Sequence, residues 1–346
     1  MNKSPIPKKV LILRFSALGD ILISIPLIRK VALDNPSVHF CYATDNKMTV
    51  FTKDIDNLEI IPIDFKNKYK GICGIIKWAR HINFTSFDLV IDIHDVLRTK
   101  ILKLLFNLYQ IKVIVFDKGR KEKQNLINSK DSIKLPLKLQ IDRYAEVFMN
   151  SKLLSGKTKF DPLHLNISEK SQIVSIGLAP FSKHESKMIS LKILEEVVSS
   201  FKDTNVKFYI FGFGENEKKA AFEVFSKYDH CEIIINSLSF EQEVQEIQNL
   251  DLMVTMDSAN SHLSALFAIP TITIYGPTHP FLGFWPLFQP IENCITPNLN
   301  HFPELPVSIF GKDIPKKYRN VINTIKSDVI IDRINQIITS KSTHQI

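Results

Sequence analysis

The segment Met256-Asp257-Ser258-Ala259-Asn260-Ser261-His262-Leu263 places polar side chains directly after the apolar run Asp251-Leu252-Met253-Val254-Thr255. The apolar run predicts a buried strand, and Leu263–Ala268 predicts a short helix. A second predicted strand, Pro270–Tyr275, ends in Gly276-Pro277-Thr278. Ligands of α/β sheets bind at such strand–helix junctions, because the helix amino terminus offers free N–H groups and a positive dipole end. The segment therefore predicts an anion site, with phosphate as the expected guest.

Apolar strands alternate with helical stretches on both sides of the middle of the chain. The first half contains the predicted strands Lys8–Arg14, Val38–Ala43, Leu58–Ile63 and Phe87–Ile93, with a helix over Ile21–Leu33. The second half contains the strands Ile173–Leu178, Lys207–Gly212 and Cys231–Ile235, and the helices Leu191–Phe201 and Glu241–Asn249. Strand–helix alternation is typical of doubly wound parallel sheets. We expect an α/β protein of two Rossmann-like domains with a cleft between them.

The boundary of the two domains is predicted near residue 160. The polar stretch Ser155–Ser168 is the candidate linker, so that residues 1–160 form the first domain and 161–346 the second. The tail, Tyr318–Ile338, predicts one or two helices, which could pack back on the first domain.

Composition places the chain among ordinary globular proteins. Hydrophobic residues make up 45% and charged residues 23% of the 346 positions. The most apolar early stretch, residues 10–28, is interrupted by Arg14 and Asp20, so it predicts neither a membrane span nor a signal segment. The four cysteines form no CxxC pair, which favours reduced thiols and no zinc site. We expect a cytoplasmic protein.

Charge is divided unevenly between the halves. Residues 1–160 hold 28 Lys and Arg against 15 Asp and Glu, whereas residues 161–346 hold 16 against 21. Basic clusters lie at Lys66–Lys70 and Lys118–Lys123. A positive field of this kind favours an anionic partner. Nucleic acid, an acidic membrane surface and a phosphorylated acceptor all fit it at this stage.

Four residues carry candidate chemistry at or just after the ends of predicted strands. Asp20 follows the first strand, where a carboxylate either takes a proton from a substrate hydroxyl or bonds backbone N–H groups at the helix start. Lys183 and Lys187 follow the first strand of the second half, where a lysine either pairs with phosphate or lies on the surface. His262 is either a structural hydrogen-bonding residue or a catalytic one.

Two further patterns are weaker. Gly212-Phe213-Gly214-Glu215 begins like the dinucleotide fingerprint GxGxxG, but Glu217 occupies the third glycine position. Glu215 could instead bond the ribose or base of a nucleotide. Asp54-Ile55-Asp56 matches the metal-binding DxD pattern, but it lies in a polar stretch that favours a solvated turn.

Taken together, the motifs resemble glycosyltransferase family 9, the lipopolysaccharide heptosyltransferases. The matching segments occur in the family's order and cover most of the chain: Phe15–Asp20, Asp92–Arg98, Lys187–Ser190, Gly212–Glu215, Met256–Leu263 and Tyr275–Thr278. The resemblance implies a GT-B fold, with an acceptor domain first and a nucleotide-sugar domain second. It also implies an inverting transfer of heptose from ADP-heptose to a lipid-linked core sugar, with no cofactor and no obligatory metal.

The resemblance also implies a role for each matching residue. Asp20 corresponds to the general base and Lys187 to the lysine that neutralises the donor phosphates, with Lys183 as the alternative. The implied donor-binding residues are Lys183, Glu215, Asp257, Ser258, Ala259, His262 and Thr278. The implied acceptor-binding residues are Arg98, Lys118 and Arg120. The implied partners are therefore a nucleotide-sugar donor and a lipid-linked phosphorylated glycan rather than nucleic acid, and we expect peripheral contact with the inner face of the inner membrane.

The sequence departs from the family pattern at two points. Ala259 stands where a glycine is usual, which requires an ordinary backbone angle at that residue. Met188-Ile189-Ser190 replaces the usual Trp-Pro after the phosphate lysine.

Other function classes fit less well. A GT-B enzyme that uses another nucleotide sugar for surface glycans remains an alternative, as does a Rossmann protein without transferase activity. A nucleotide-dependent oxidoreductase would need a complete glycine fingerprint, which neither half supplies.

Overall fold

The computed structural model describes residues 7–129, 134–156, 158–163 and 173–343. The described residues cluster into two compact units. One comprises the chain up to Lys118 together with Gln140–Asp161, and the other comprises Gly119–Leu139 and the chain from Pro162 onward. Part of the predicted linker Ser155–Ser168 lies outside the described residues. Within the described residues, no helix has both the length and the apolar character that a membrane crossing requires.

The first unit is built on a parallel sheet of five strands in the order β3-β2-β1-β4-β5. The strands are β1 (Lys9–Leu13), β2 (His39–Thr44), β3 (Leu58–Pro62), β4 (Leu89–Asp92) and β5 (Lys112–Val115). Parallel strands covered on both faces are continuously apolar, as the buried residues of β1 and β4 show.

Four of the first five helices of the chain cluster with this sheet and complete its core. The first five helices of the chain are α1 (Leu18–Asp34), α2 (Gly71–His81), α3 (Leu97–Leu108), α4 (Arg120–Asn128) and α5 (Gln140–Asn150). Of these, α4 clusters with the second unit, although it lies in the first half of the sequence. Trp78 of α2 is fully buried among the apolar residues of β1, β2 and α3.

The second unit contains a parallel sheet of six strands in the order β11-β10-β9-β6-β7-β8. The strands are β6 (Val174–Ala179), β7 (Val206–Ile210), β8 (Cys231–Ile233), β9 (Leu252–Met256), β10 (Thr271–Ile274) and β11 (Cys294–Ile295). The helices are α6 (Leu191–Ser199), α7 (Glu215–Phe225), α8 (Phe240–Gln248), α9 (Ala259–Leu266) and α10 (Ser327–Thr343). The tail helix α10 buries Ile330, Ile334 and Ile337 in the core of this unit.

Short 3-10 helices occur in several connections. They span Asn46–Phe51, Phe84–Ser86, Glu185–Lys187, Pro280–Leu282, Ile291–Asn293, Lys316–Tyr318 and Val321–Thr324.

Both sheets reverse their direction of growth at one point. In the first sheet the chain moves outward from β1 to β3 and then returns to add β4 on the other side of β1. In the second sheet, β9 is added on the other side of β6 in the same way. The carboxyl ends of β1 and β4, and those of β6 and β9, are therefore the two places where α/β sheets bind ligands.

Candidate active site

The carboxyl end of β1 carries an ion pair between Arg14 and Asp20. The Arg14 Nη2 and Asp20 Oδ2 atoms are 2.5 Å apart, and the arginine side chain is only 6% exposed whereas the aspartate side chain is 23% exposed. Arg14 also donates from Nη1 to the Ile93 carbonyl after β4, at 2.8 Å. The guanidinium carbon lies 5.7 Å from the ring centroid of Tyr144 of α5. Arg14 is thus held by three groups, and it fixes the carboxylate that the sequence singled out.

Asp20 does not cap the helix in which it lies. It belongs to the first turn of α1, whose N-cap is Ala17. Its second oxygen, Oδ1, accepts a long hydrogen bond of 3.5 Å from the Tyr144 hydroxyl. The carboxylate is therefore engaged by side chains and keeps part of its surface open to solvent, which is what a proton acceptor requires.

The loop after β4 contributes a buried neutral histidine. His94 Nδ1 accepts a hydrogen bond of 3.3 Å from the Phe15 N–H. Burial, followed by the positive charges of Arg14, Lys118 and Arg98, lowers the pKa of His94 to about 3. Because Nδ1 is an acceptor, the proton of the neutral ring lies on Nε2.

Asp92, the last residue of β4, shapes the loop that contains His94. Its carboxylate accepts from the N–H groups of His94 and Asp95, each at 2.8 Å. Burial raises its pKa, against these hydrogen bonds. The sequence identified the Asp92–Arg98 segment as a motif, and the structure shows that its first aspartate is a structural acceptor.

The three cations predicted to bind the acceptor separate into two groups. Lys118 donates to the Asp95 carbonyl at 2.5 Å, and its ammonium is 3.7 Å from the Asp95 carboxylate. Arg98, in the first turn of α3, lies 5.8 Å from the ring centroid of Phe65. Both belong to the first unit, whereas Arg120 is the first residue of α4 and clusters with the second.

The second switch point holds another ion pair, between Lys187 and Asp257. The Lys187 Nζ and Asp257 Oδ2 atoms are 2.7 Å apart, with side-chain exposures of 13% and 12%. The same oxygen accepts from the Thr278 hydroxyl at 2.7 Å. Burial alone would raise the pKa of Asp257, but the charge and hydrogen bond of Lys187, with further help from Thr278 and His262, lower it below its usual value.

Lys187 reaches this position over a glycine. Gly311 has a φ of +79°, and a Cβ at this residue would stand 2.6 Å from the Lys187 Cδ atom. The Ser186 hydroxyl donates to the Gly311 carbonyl at 2.7 Å, which ties the two loops together. The lysine stem therefore lies against a backbone that only glycine forms without strain.

The amino terminus of α9 lies directly after β9. Ser258 is the N-cap and Ala259 is the first helical residue, with a backbone angle outside the positive-φ region. Alanine therefore fits where the family pattern has glycine. The helix begins four residues earlier than Leu263, the start that the apolar pattern predicted, because Ala259–His262 are helical although partly polar. His262 is buried on this first turn.

Lys183 is exposed, whereas the Asp257 carboxylate is bound by Lys187 and Thr278. Burial and then the charges of Lys312, Lys187 and Lys183 lower the pKa of the nearby His184. Both candidate lysines thus contribute to one positive region, but Lys187 is the one that the fold holds at α9.

Glu215 is positioned by an asparagine that the sequence did not reveal. Asn236 donates to Glu215 Oε1 at 3.0 Å and accepts from the Gly214 N–H at 3.0 Å. Glu217, which broke the glycine fingerprint, accepts from the Phe213 N–H at 2.7 Å. The Gly212–Glu217 segment is therefore a side-chain-braced turn at the end of β7 rather than a dinucleotide loop.

Most of the supporting residues that the sequence did not reveal lie far along the chain from the residues they contact. Tyr144 lies 124 positions from Asp20, Gly311 lies 124 from Lys187, and Asn236 lies 21 from Glu215. Arg14 is the last residue of the predicted strand Lys8–Arg14 and could have been found as a charged residue at a buried strand end. Asp54 of the DxD pattern pairs with Arg29 at 2.6 Å.

Potential metal ligands gather elsewhere. Among the described residues, the group of His, Cys, Asp or Glu side chains close enough to hold an ion consists of His39, Cys41 and Glu59, whose ligand atoms lie within 4.8 Å of one another. They occupy β2 and β3 and include none of the predicted site residues.

Two doubly wound parallel sheets, each with polar residues at its switch point, form the architecture of the GT-B fold. Solved structures support this fold. The family 9 glycosyltransferase of Veillonella parvula superposes with a TM-score of 0.72 at 17% identity, covering 96% of this chain and 98% of that one. The E. coli heptosyltransferase WaaC with ADP gives a TM-score of 0.68 at 18% identity, covering 95% and 99%.

Sequence comparisons identify the family. The family model for glycosyltransferase family 9 (heptosyltransferase) matches residues 75–308. Lipooligosaccharide heptosyltransferase 2 of Campylobacter jejuni is 23% identical over 335 residues, which cover 93% of this chain and 96% of the relative. The chain belongs to glycosyltransferase family 9 and is a glycosyltransferase, as the sequence motifs predicted.

Proposed function

We propose that this chain transfers heptose from ADP-heptose to a lipid-linked, phosphorylated core sugar of lipopolysaccharide, with inversion at the anomeric carbon and without a metal. Membership of the heptosyltransferase family supports the sugar and the pathway. The observation that carries the mechanism is the pairing of Lys187 with Asp257 at the amino terminus of α9. That arrangement suits a diphosphate leaving group.

Asp20 serves as the general base of the proposed reaction. It takes the proton from the acceptor hydroxyl as the oxygen attacks the anomeric carbon, and the bond from that carbon to the ADP oxygen breaks. Arg14 holds and orients the carboxylate through the 2.5 Å contact. Base assistance of this kind contributes about 10²–10⁴-fold to the rate.

The departing ADP gains negative charge, and the second switch point is suited to stabilise it. Lys187 and the free N–H groups at the start of α9 face that charge in the proposed complex, with Ser258, Ala259 and Thr278 forming the rest of the phosphate site. A preorganised donor of this kind is worth about 10²–10³-fold in rate. The Asp257 carboxylate holds Lys187 in place before the donor arrives.

The remaining predicted residues select the substrates. Glu215, oriented by Asn236, accepts hydrogen bonds from the ribose of the adenosine. His262 and Lys183 support the donor phosphates from the α9 turn and the neighbouring loop. Arg98, Lys118 and Arg120 bind phosphates of the acceptor core, because guanidinium and ammonium groups are the usual partners of phosphate.

Product analysis tests this function. Incubation of the protein with ADP-heptose and a heptose-deficient lipopolysaccharide core should give ADP and an acceptor extended by one heptose. The anomeric configuration of the added heptose should be opposite to that of the donor. The same yield is expected in the presence of a chelator. UDP- and GDP-sugars serve as control donors, and transfer from these instead of ADP-heptose would contradict the assigned donor. Loss of activity on chelation, restored by added metal, would contradict the metal-free mechanism.

A further inference from the structure

The solvent face of α3 is apolar. Leu97, Leu104 and Leu108 are 75%, 68% and 80% exposed, whereas the opposite face of the same helix buries Leu102 and Phe106. A surface helix normally presents polar residues to water. Contiguous exposed apolar side chains of this kind mark an interaction surface.

The three leucines form one stripe. Positions 97, 104 and 108 are separated by seven and four residues, a spacing that aligns side chains along one side of an α-helix. At 1.5 Å per residue the stripe is about 16 Å long. Ile72 of the neighbouring helix α2 adds a fourth exposed apolar side chain, at 62%.

The chain around this stripe carries cations and no acids. The segments between Phe65 and Phe87 and between Val96 and Phe116 contain nine Lys and Arg residues and no Asp or Glu. α2 packs directly on α3, and Arg98 of α3 lies over Phe65. Lys66, Lys68 and Lys70, which follow Phe65, are all exposed. The basic cluster of the sequence thus directly follows Phe65, the residue that Arg98 of α3 contacts.

The two aspartates that directly precede these segments, Asp64 and Asp95, are engaged by other groups. Asp95 lies 3.7 Å from Lys118 and 3.9 Å from Lys100. Asp64 accepts from the N–H groups of Asn67 and Lys68. The surface therefore presents net positive charge around an apolar centre.

We infer that the exposed face of α3, with its basic rim, docks on an anionic lipid bilayer. The leucines enter the boundary between headgroups and acyl chains, and the cations contact the lipid phosphates. Two facing copies of this surface would bring their cations together, whereas an anionic bilayer complements both parts of it. The inference rests on the proposed function, since a lipid-linked acceptor lies at such a bilayer.

The position of α3 connects docking to the candidate acceptor site. The helix begins directly after the loop of Asp92, His94 and Asp95, which adjoins Arg14 at the first switch point. A bilayer against α3 would therefore lie beside the residues proposed to receive the lipid-linked sugar.

Vesicle binding tests the inference. The full-length protein should co-sediment with vesicles of phosphatidylcholine and phosphatidylglycerol, and bind less to phosphatidylcholine alone. The double variant Leu104→Ser/Leu108→Ser should lose about tenfold or more in partitioning, because both side chains leave the membrane boundary. The matched control is Leu33→Ser, since Leu33 is a leucine of α1 in the same unit and is 61% exposed. It should bind as the wild type does.

An insertion probe adds a second readout. Tryptophan at position 104 (Leu104→Trp) should shift its fluorescence to shorter wavelength on adding anionic vesicles, whereas Leu33→Trp should not shift. Equal vesicle binding by the wild type and the double variant, or no binding by either, would overturn the inference. So would a wild type that dimerises at micromolar concentration and becomes monomeric in the double variant, because a second copy would then occupy the face.

The result is separable from the proposed function. With a delipidated, water-soluble core acceptor, the double variant should transfer heptose at the wild-type rate, because Leu104 and Leu108 are not among the residues proposed to bind the substrates. Absence of transfer by the wild type on either acceptor would reject the proposed function without deciding vesicle binding. Normal transfer on the soluble acceptor with unchanged vesicle binding would reject only the docking surface.

Discussion

The first and second switch points each hold a cation–carboxylate pair, but the accessible partner differs. At the first, Arg14 is 6% exposed and its partner Asp20 is 23% exposed. At the second, the side chains of Lys187 and Asp257 are about equally buried, with exposed fractions of 13% and 12%. Arg14 is fixed by the Ile93 carbonyl and the Tyr144 ring, so the arginine keeps its position and the more exposed Asp20 carboxylate is the group open to a substrate.

Lysine behaves differently in the second pair. Its ammonium is a point charge on a flexible stem, which can turn from one anion to another. Asp257 is held by Thr278 as well as by Lys187, so the carboxylate remains fixed if the lysine turns toward a phosphate. The first pair therefore leaves the Asp20 carboxylate available as a base, and the second leaves the Lys187 ammonium available to bind an anion.

The largest effect is expected from Asp20→Asn. The amide cannot take a proton, so kcat should fall by about 10²–10⁴-fold in steady-state transfer assays. Asp34→Asn is the matched control, because Asp34 lies in the same helix and pairs with Lys30. A kcat within threefold of the wild type for Asp20→Asn would show that Asp20 is not the general base.

Lys187→Met should be the next largest. Loss of the ammonium removes the charge that faces the departing diphosphate, and kcat/KM for the donor should fall by about 10²–10³-fold. Lys183→Met, in the same loop region but exposed, should change kcat/KM far less. The reverse order of the two variants would assign the phosphate contact to Lys183.

His94 gives the first unit a measurable acid sensitivity. Its pKa is about 3 in the folded protein and near 6.5 when unfolded, so the unfolded state takes up the proton first and stability falls as the pH drops below 6.5. Between pH 7 and pH 5 the loss from this group is about 2 kcal/mol. Denaturant unfolding should show that His94→Gln lacks this part of the loss. If His94→Gln lost as much unfolding free energy between pH 7 and pH 5 as the wild type does, His94 would not be buried in its neutral form.

Gly311→Ala should have a smaller, local effect. The added Cβ meets the Lys187 stem and strains a residue at φ +79°, which costs about 1–2 kcal/mol. KM for the donor should rise several-fold. The stability of the first unit, measured without ADP, should not change. Gly156→Ala is a control with positive φ but no neighbouring atom within 4 Å. Equal KM values for the two variants would remove Gly311 from the support of Lys187.

Ala259→Gly should have the smallest effect. Ala259 is helical, so a glycine at this position gains nothing from its conformational freedom and lowers helix stability by at most about 1 kcal/mol. Transfer assays should give kcat and KM within about twofold of the wild type. A large gain in activity would show that the methyl group obstructs the donor.

Local patterns in the sequence predicted the sheets and the loops of both switch points. Apolar runs identified most strands, because parallel strands buried on both faces are continuously apolar. The edge strands β5 and β11 were not predicted. β11 has only two residues, and β5 has an exposed Lys112 followed by three residues that are only partly buried. Arg14, Tyr144 and Gly311 matter through contacts made by distant segments, which no local pattern encodes. The pairing of Lys187 with Asp257 likewise depends on the return of β9 beside β6.

Calorimetric titration of ADP into the Asp20→Asn and Lys187→Met variants tests the division of roles most directly. We expect Asp20→Asn to bind ADP as the wild type does but to fail in transfer, and Lys187→Met to bind ADP at least tenfold more weakly. Weakened ADP binding in Asp20→Asn together with unchanged binding in Lys187→Met would contradict this division of roles.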